Sequence, residues 1–307
     1  MRKITIYAFF LFAVYSCTSH GYTLPGLGLG VSSFLDGGPL RQVPGWYWQT
    51  YFQIYHSNKF LDVNGDPLLG IVNPNLNVVS VALQFIYLSK IRFLGGNLGV
   101  DFTLPLRLHG GINRNVPLFT SSGGGLGDFS AGVYIQWNPI MHGERPIFVH
   151  RLEFVSVFPT GKNKLLEKTV NPGNKIFYCD PYWAATAYFT PRFTASWRLH
   201  YLWCGTNHKT HIQPGQAIHF NYAIDYAVTE QLILGIAGYY LRQVTPSTLF
   251  GIKIPDSKER VFAIGPGALW AFARKYTFVL VANLYFEMDV RNRPQGIRGV
   301  LRVLKHF

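Results

Sequence analysis

The sequence predicts an all-β protein, a 12-stranded antiparallel transmembrane β-barrel of the outer-membrane type. Three observations predict this class: apolar and polar residues alternate, the connections between alternating segments are long and short in turn, and charge is scarce. Of the residues, 48% are hydrophobic and only 14% are charged, whereas about a quarter is usual in soluble domains. Because the apolar residues are dispersed and form no run of helix-spanning length after the N-terminus, a membrane barrel is favoured over a helical bundle.

The chain begins with Met-Arg-Lys, continues with an apolar run over residues 4–15 and then has small or polar residues as far as Gly21. A basic start, a short apolar stretch and a Ser-His-Gly cleavage site predict a secretory signal peptide at residues 1–21. One alternative is an uncleaved anchor, although the run falls short of the roughly 20 residues that a spanning helix needs. A second is lipidation at Cys17, which the bulky Tyr15 suits poorly.

Residues 22–45 are rich in Gly and Pro and include the run Leu-Pro-Gly-Leu-Gly-Leu-Gly. The Gly-x-Gly-x-Gly spacing resembles a nucleotide-binding loop, but no strand is predicted before it and no helix after it. We expect this segment to be either a periplasmic lead-in, on the side where the ends of the barrel lie, or a partial plug of the lumen.

Residues 46–307 are predicted to form the barrel, and residues 193–204 show the pattern most clearly. Phe193, Trp197 and Trp203 fall on one face, whereas Arg198 and His200 fall on the other. Only a strand points successive side chains to opposite faces. The predicted strands are 46–56, 78–90, 96–108, 127–138, 147–158, 179–190, 193–204, 217–228, 231–242, 260–272, 275–288 and 296–307.

The predicted connections are long after each odd-numbered strand and short after each even-numbered one. Long external loops, short periplasmic turns and an even strand number are typical of outer-membrane barrels. A soluble lipocalin or sandwich also alternates. Against it, twelve strands enclose too wide a lumen to fill with side chains, and the polar faces carry charges such as Arg198 and Asp225.

The chain is basic, with 28 Lys and Arg against 15 Asp and Glu. Most of these cations fall in the predicted connections, and no nucleic-acid recognition motif accompanies them, so we expect no nucleic-acid partner. A basic rim that faces outer-membrane lipid and lipopolysaccharide, or that steers acidic solutes, is the better explanation. The terminal Phe307 is predicted to be the insertion signal that the barrel-assembly machinery recognises.

Two cysteines, Cys179 and Cys204, remain after the predicted signal peptide, in a compartment that is oxidising. A two-residue turn at Pro191-Arg192 would make them direct cross-strand neighbours, which predicts a disulfide. The alternative is a bulged turn, since proline cannot adopt the positive φ of the usual two-residue turns. That turn would shift the register by one and place the cysteines on opposite faces.

Ten charged or histidine side chains are predicted to line the lumen. Two interpretations stay open: mutually neutralising charges that hydrate the lumen or hold a plug, and a ring that selects solutes. The residues are Asp128, Arg151, Glu153, Arg198, His200, His219, Asp225, Glu287, Arg298 and Arg302.

No catalytic residue, metal site or cofactor is predicted. Ser196 shares a strand face with His200 but lies four residues, or about 13 Å, away along the strand, which is too far for a nucleophile and its base. His208 and His211 share a loop with no carboxylate or thiolate near them, which is typical of solvated residues.

Several short motifs follow one another from residue 127 to the C-terminus. They are Gly127-Asp128, Phe158-Pro159-Thr160-Gly161, Pro214-Gly215, Gly238-Tyr239-Tyr240 with Gln243, Gly265-Pro266 and the terminal Phe307. In order and spacing they resemble the outer-membrane family named for the meta-pathway of phenol degradation. The resemblance implies a Gram-negative outer-membrane barrel that takes up aromatic or other hydrophobic compounds.

The predicted function is an outer-membrane channel for passive uptake of small hydrophobic or aromatic solutes. The alternative is a structural or host-interaction barrel with a plugged lumen and functional external loops, and an outer-membrane lipid hydrolase is a more distant third. We expect no enzymatic activity.

Overall fold

The computed structural model describes residues 22–40, 42–113, 120–121, 123–164, 169–272 and 278–306. The predicted signal peptide at residues 1–21 and the predicted insertion signal Phe307 lie outside these ranges. No helix within the described residues is long and apolar enough to cross a membrane.

The chain folds as a closed, all-β, 12-stranded antiparallel barrel, as the sequence predicts. Each strand pairs with its neighbours in the chain, and the last strand pairs with the first, which closes the cylinder. The strands are β1 (Gly45–Phe60), β2 (Leu76–Phe93), β3 (Gly96–Ile112), β4 (Ser130–Gln136), β5 (Arg145–Val157), β6 (Tyr182–Tyr188), β7 (Phe193–Cys204), β8 (Ala217–Ala227), β9 (Leu232–Gln243), β10 (Arg260–Phe272), β11 (Phe278–Arg291) and β12 (Pro294–His306).

Strand β6 is shorter than predicted because Pro181 interrupts it. Proline has no backbone N–H to donate to the ladder. Residues Tyr178–Cys179 therefore form a separate short strand, which pairs with β5 and β7 ahead of the break. Asp180 lies in the break itself, within the wall of the barrel.

The connections alternate between long and short, with one exception. The turn end of the barrel holds the connections 94–95, 137–144, 189–192 and 228–231, and the loop end holds 61–75, the described parts of 113–129 and 158–181, 205–216, 244–259 and 292–293. The long connection predicted after the eleventh strand is wrong, because β11 and β12 continue outward until only Asn292 and Arg293 separate them. Asn292 has a φ of 52°, a left-handed conformation that asparagine tolerates and that permits so tight a turn.

The two faces of the wall differ as the alternation predicts. Ile236 is 55% exposed on the outer face, whereas its neighbour Ala237 is fully buried. On β8, Ile218 and Ile224 are exposed, and His219 between them is fully buried. An apolar outer face and a polar inner face are the arrangement of a transmembrane barrel.

The predicted disulfide is wrong, because the turn between β6 and β7 is one residue longer than the two-residue turn on which that prediction depends. The backbone N–H of Phe193 donates to the Thr190 hydroxyl, and Phe189 N–H donates to the Phe193 carbonyl. The resulting register pairs Tyr178 with Cys204, and Cys179 with Trp203. Adjacent residues of a strand point to opposite faces, so the two thiols lie on opposite sides of the wall and both are free.

Candidate functional site

The N-terminal segment, residues 22–40, lies inside the barrel and runs from the loop end to the turn end. At the loop end, the Tyr22 hydroxyl donates to the Leu61 carbonyl at 2.8 Å. Near the turn end, Gly37 N–H donates to the Thr186 hydroxyl at 2.9 Å. Phe34, between these points, is completely buried. The segment therefore contacts inward-facing residues near both ends of the barrel.

A buried carboxylate holds the segment at the loop end. The backbone N–H groups of Thr23 and Leu24 donate to Glu259 Oε1 at 2.7 and 2.8 Å. Arg293 forms an ion pair with the other oxygen of Glu259 at 2.6 Å. Burial, and next the negative charge of Glu259, raise the pKa of the Tyr22 phenol well above its ordinary value, so this hydroxyl stays neutral. Sequence reasoning missed Glu259, because it belongs to a predicted external loop.

The middle of the segment packs against tyrosines of the wall. Gly30 N–H donates to Asn221 Oδ1 at 2.8 Å, and the Tyr285 hydroxyl donates to the Gly30 carbonyl at 2.9 Å. Gly30 has a φ of 74°, and a Cβ atom there would lie 2.7 Å from the Tyr285 ring. Both the backbone conformation and the close approach therefore require glycine at this position.

Two arginines that the sequence predicts to line the lumen hold the half of the segment nearer the turn end. The Arg198 guanidinium donates to both oxygens of Asp36, at 2.9 and 2.6 Å, and also stacks over the Tyr182 ring at 4.3 Å. The side chains of Arg198 and Asp36 are only 11% and 3% exposed. Arg302 donates to the Phe34 carbonyl at 3.4 Å. A bidentate, buried pair of this kind is both strong and geometrically specific.

Glu287 is the centre of a network on β11. The hydroxyls of Tyr55 and Tyr239 each donate to its carboxylate at 2.7 Å. Arg298 lies 4.0 Å from the same carboxylate and over the Tyr55 ring at 5.0 Å. The opposite charges of Glu287 and Arg298 therefore lie close together within the wall.

A second network surrounds Glu153 on β5. Arg151 lies 3.5 Å from the Glu153 carboxylate and donates to the Tyr182 hydroxyl at 2.8 Å, and that hydroxyl in turn donates to Glu153. Asp101 on β3, which the sequence analysis did not single out, accepts a hydrogen bond from Gln84 at 2.9 Å. A lone carboxylate within a predicted strand is the signal that could have found it.

Two of the predicted lumen residues have other surroundings. Asp225 lies at the turn end, where the Thr194 hydroxyl donates to it at 2.7 Å. Asp128 precedes β4 and accepts hydrogen bonds from the backbone of Gly161 at 2.8 Å and Asn174 at 2.7 Å. Asp128 therefore joins two connections at the loop end, a position different from the predicted one on the lumen wall.

The last two predicted residues, His200 and His219, meet at one carboxylate. Asp180 lies 3.2 Å from His200 Nδ1 and 2.9 Å from His219 Nε2. The two imidazole rings stack with centroids 4.1 Å apart. The Ser196 hydroxyl, by contrast, forms its hydrogen bond with the Thr186 hydroxyl, at 3.0 Å. Sequence reasoning found both histidines but not Asp180, which lies in the break of the strand.

Solved structures resemble this barrel. A crystal structure of an outer-membrane channel from Pseudomonas putida F1 has a TM-score of 0.73 at 15% identity, over 87% of this chain and 97% of that chain. The CymD monoaromatic hydrocarbon channel has a TM-score of 0.46 at 10% identity, over 87% of this chain and 90% of its own. The KdgM porin has a TM-score of 0.45 at 9% identity, over 84% and 99%.

No curated protein matches the chain at a significant level. A family model, described as "Putative MetA-pathway of phenol degradation", matches residues 57–303. The match begins in β1 and ends in β12, so it includes nearly the whole cylinder. The chain accordingly has the fold of a transmembrane β-barrel and belongs to the family described as the putative MetA-pathway of phenol degradation.

Proposed function

We propose that this barrel is a channel for passive diffusion of small hydrophobic or aromatic solutes across the outer membrane. The observation that carries the proposal is the enclosed inner face, on which tyrosines alternate with compensated charges. A tyrosine presents an apolar ring with one polar atom, which suits stacking against an aromatic solute. The inward tyrosines are Tyr51, Tyr55, Tyr134, Tyr182, Tyr239 and Tyr285.

Family membership and the likeness to a barrel described as an outer-membrane channel support the same function. Neither identifies a solute. The inner tyrosines favour aromatic compounds, and the compensated charges provide hydrogen-bonding groups along the way.

The segment 22–40 lies in the interior, and we propose that it obstructs the lumen and must move for a solute to pass. Within the described residues, it contributes no strand to the sheet and is held by hydrogen bonds to side chains. Its displacement therefore breaks no backbone ladder, and the wall can stay closed while the segment shifts. We propose that the segment is a gate, with Asp36 and Arg198 as its main latch.

Solutes would enter through a cavity of about 650 Å³ at the loop end. Its lining includes more cations than carboxylates. Such a mouth attracts solutes that carry an acidic group and raises their local concentration. The charged lining residues are Arg242, Lys253, Asp256, Lys258, Glu259, Arg260 and Arg291.

The position of the segment inside the barrel is also the observation that favours the alternative, a structural or host-interaction barrel whose loops are functional. Swelling of liposomes that contain the full protein separates the two functions. We expect swelling with small aromatic solutes, and faster swelling for Asp36→Asn than for the parent. If neither protein admits aromatic solutes or small sugars, the channel is refuted and the loop function is favoured.

A further inference from the structure

Three donor side chains converge at one level of the wall, towards the loop end. Asp180 lies before β6, His200 on β7 and His219 on β8, where the two histidines are direct cross-strand partners. One ligand atom from each of the three residues lies within 4.8 Å of the other two. The backbone register, and not a flexible loop, therefore fixes the spacing of the two imidazoles.

The imidazoles are buried and only partly satisfied. The side chain of His200 is 9% exposed and that of His219 is fully buried. Neither ring nitrogen of His200 has a hydrogen-bond partner within the described residues, and neither does His219 Nδ1. Buried polar atoms are nearly always paired with protein, water or an ion. His200 Nδ1 faces Asp180 and still lacks a hydrogen-bond partner, so an ion shared with Asp180 would supply the partner that this nitrogen is missing.

The charge balance favours a cation between these groups. The Asp180 carboxylate faces both stacked rings and supplies a negative charge beside them. Neutral imidazole is the form that binds a metal ion. The cluster faces Arg198 and Tyr182 towards the turn end, and towards the loop end it adjoins the buried apolar cluster of Tyr178, Leu202 and Cys204.

We propose that Asp180, His200 and His219 bind a divalent first-row transition-metal ion such as Zn²⁺. Bonds of about 2.0–2.1 Å from imidazole nitrogen and carboxylate oxygen place tetrahedral donors about 3.3 Å apart. The two nitrogen-to-oxygen distances, 3.2 and 2.9 Å, already lie near that value. Two nitrogen ligands select against Mg²⁺ and Ca²⁺, which prefer oxygen.

Three protein ligands leave a fourth position for water or for an acidic group of a solute. Asp180 and His200 are partly accessible, with 13% and 9% of their side chains exposed, so an ion can reach them. The apolar side chains Leu24 and Leu27 of the inner segment pack against the neighbouring cluster. The ion would therefore join the break before β6 to β7 and β8, beside the part of the gate nearer the loop end.

The test uses the full protein, purified in detergent and stripped with a chelator, then titrated with Co²⁺ as a spectroscopic probe. We expect about one ion per chain, with visible bands of a low-coordinate site, and displacement of Co²⁺ by Zn²⁺. The variant His200→Gln with His219→Gln should lose this binding. The matched control, His208→Gln with His211→Gln, removes two loop histidines and should keep it.

Circular dichroism of each variant establishes that the barrel is intact. If the wall variant fails to fold, Asp180→Asn and X-ray absorption at the zinc edge of the loaded parent protein replace it, with nitrogen and oxygen ligands expected at the edge. The proposal is overturned if Co²⁺ binding persists in the folded wall variant, if binding depends on the loop pair, or if the parent binds no Co²⁺. Solute transport does not enter this test, so its outcome is separate from that of the channel.

Discussion

Replacing Asp36 with Asn should release the inner segment from the wall. The substitution leaves Arg198 buried without an anionic partner, and breaking a buried pair in this way typically costs about 3–5 kcal/mol. We take the lower end, about 3 kcal/mol, because Arg198 keeps its stacking contact with the Tyr182 ring. At about 1.4 kcal/mol for each tenfold change, the released state becomes roughly 100-fold more populated.

Hydrogen exchange measured by mass spectrometry reports this release directly. The amide groups of Gly30 and Gly37 donate to side chains of the wall, so their exchange should accelerate by about the same factor. The control is Asp289→Asn, which removes the partner of Arg260 in a pair whose side chains are 51% and 27% exposed. A pair this exposed contributes only about 0–1 kcal/mol, so exchange of the inner segment should not change.

Replacing both members of the pair supplies a further check. Asp36→Leu with Arg198→Met exchanges the buried ion pair for apolar side chains, a change that is often neutral. This double variant should protect the segment better than Asp36→Asn does. If Asp36→Asn leaves exchange at Gly30 and Gly37 unchanged while the protein stays folded, the pair is not the latch of the segment.

Gly30→Ala should loosen the same segment, because a Cβ atom would press on a tyrosine ring at a positive φ; faster exchange of residues 22–40 with unchanged strand content is expected. Ile236→Arg places a charge on the lipid-facing side of β9 and should lower stability to denaturant by about 2–4 kcal/mol, whereas Ile252→Arg in an external connection should have little effect. Equal effects of the two would contradict the assigned orientation of the wall. In unreduced, denatured mature protein, both Cys179 and Cys204 should react with an alkylating reagent, and a mass shift on reduction would instead restore the disulfide.

The faces of the strands could be predicted from sequence because they depend only on the period of two along each strand. For residues 193–204, the alternation alone separates the exposed Leu199 from the buried His200. The register between strands was harder to predict, because it depends on the turn. At the turn end, the hydroxyl of Thr190 accepts two backbone hydrogen bonds, and this single side chain shifts the cysteines by one position.

Two of the residues that sequence reasoning missed, Asp180 and Glu259, lie outside regular strands. Asp180 is in the break before Pro181, and Glu259 ends an external connection. Their partners are 20 to 236 residues away along the chain, so no local sequence pattern predicts these contacts. The same holds for the inner segment, whose position follows from hydrogen bonds to side chains on several distant strands.

The segment inside the cylinder also links gating to hydration. When residues 22–40 leave, their volume must be taken up by water, since the charges and hydroxyls they satisfied cannot remain dry. The filled and emptied forms of the protein therefore differ in the number of water molecules that they contain. Osmolytes too large to enter the lumen should consequently favour the filled form, and conductance should fall as their concentration rises.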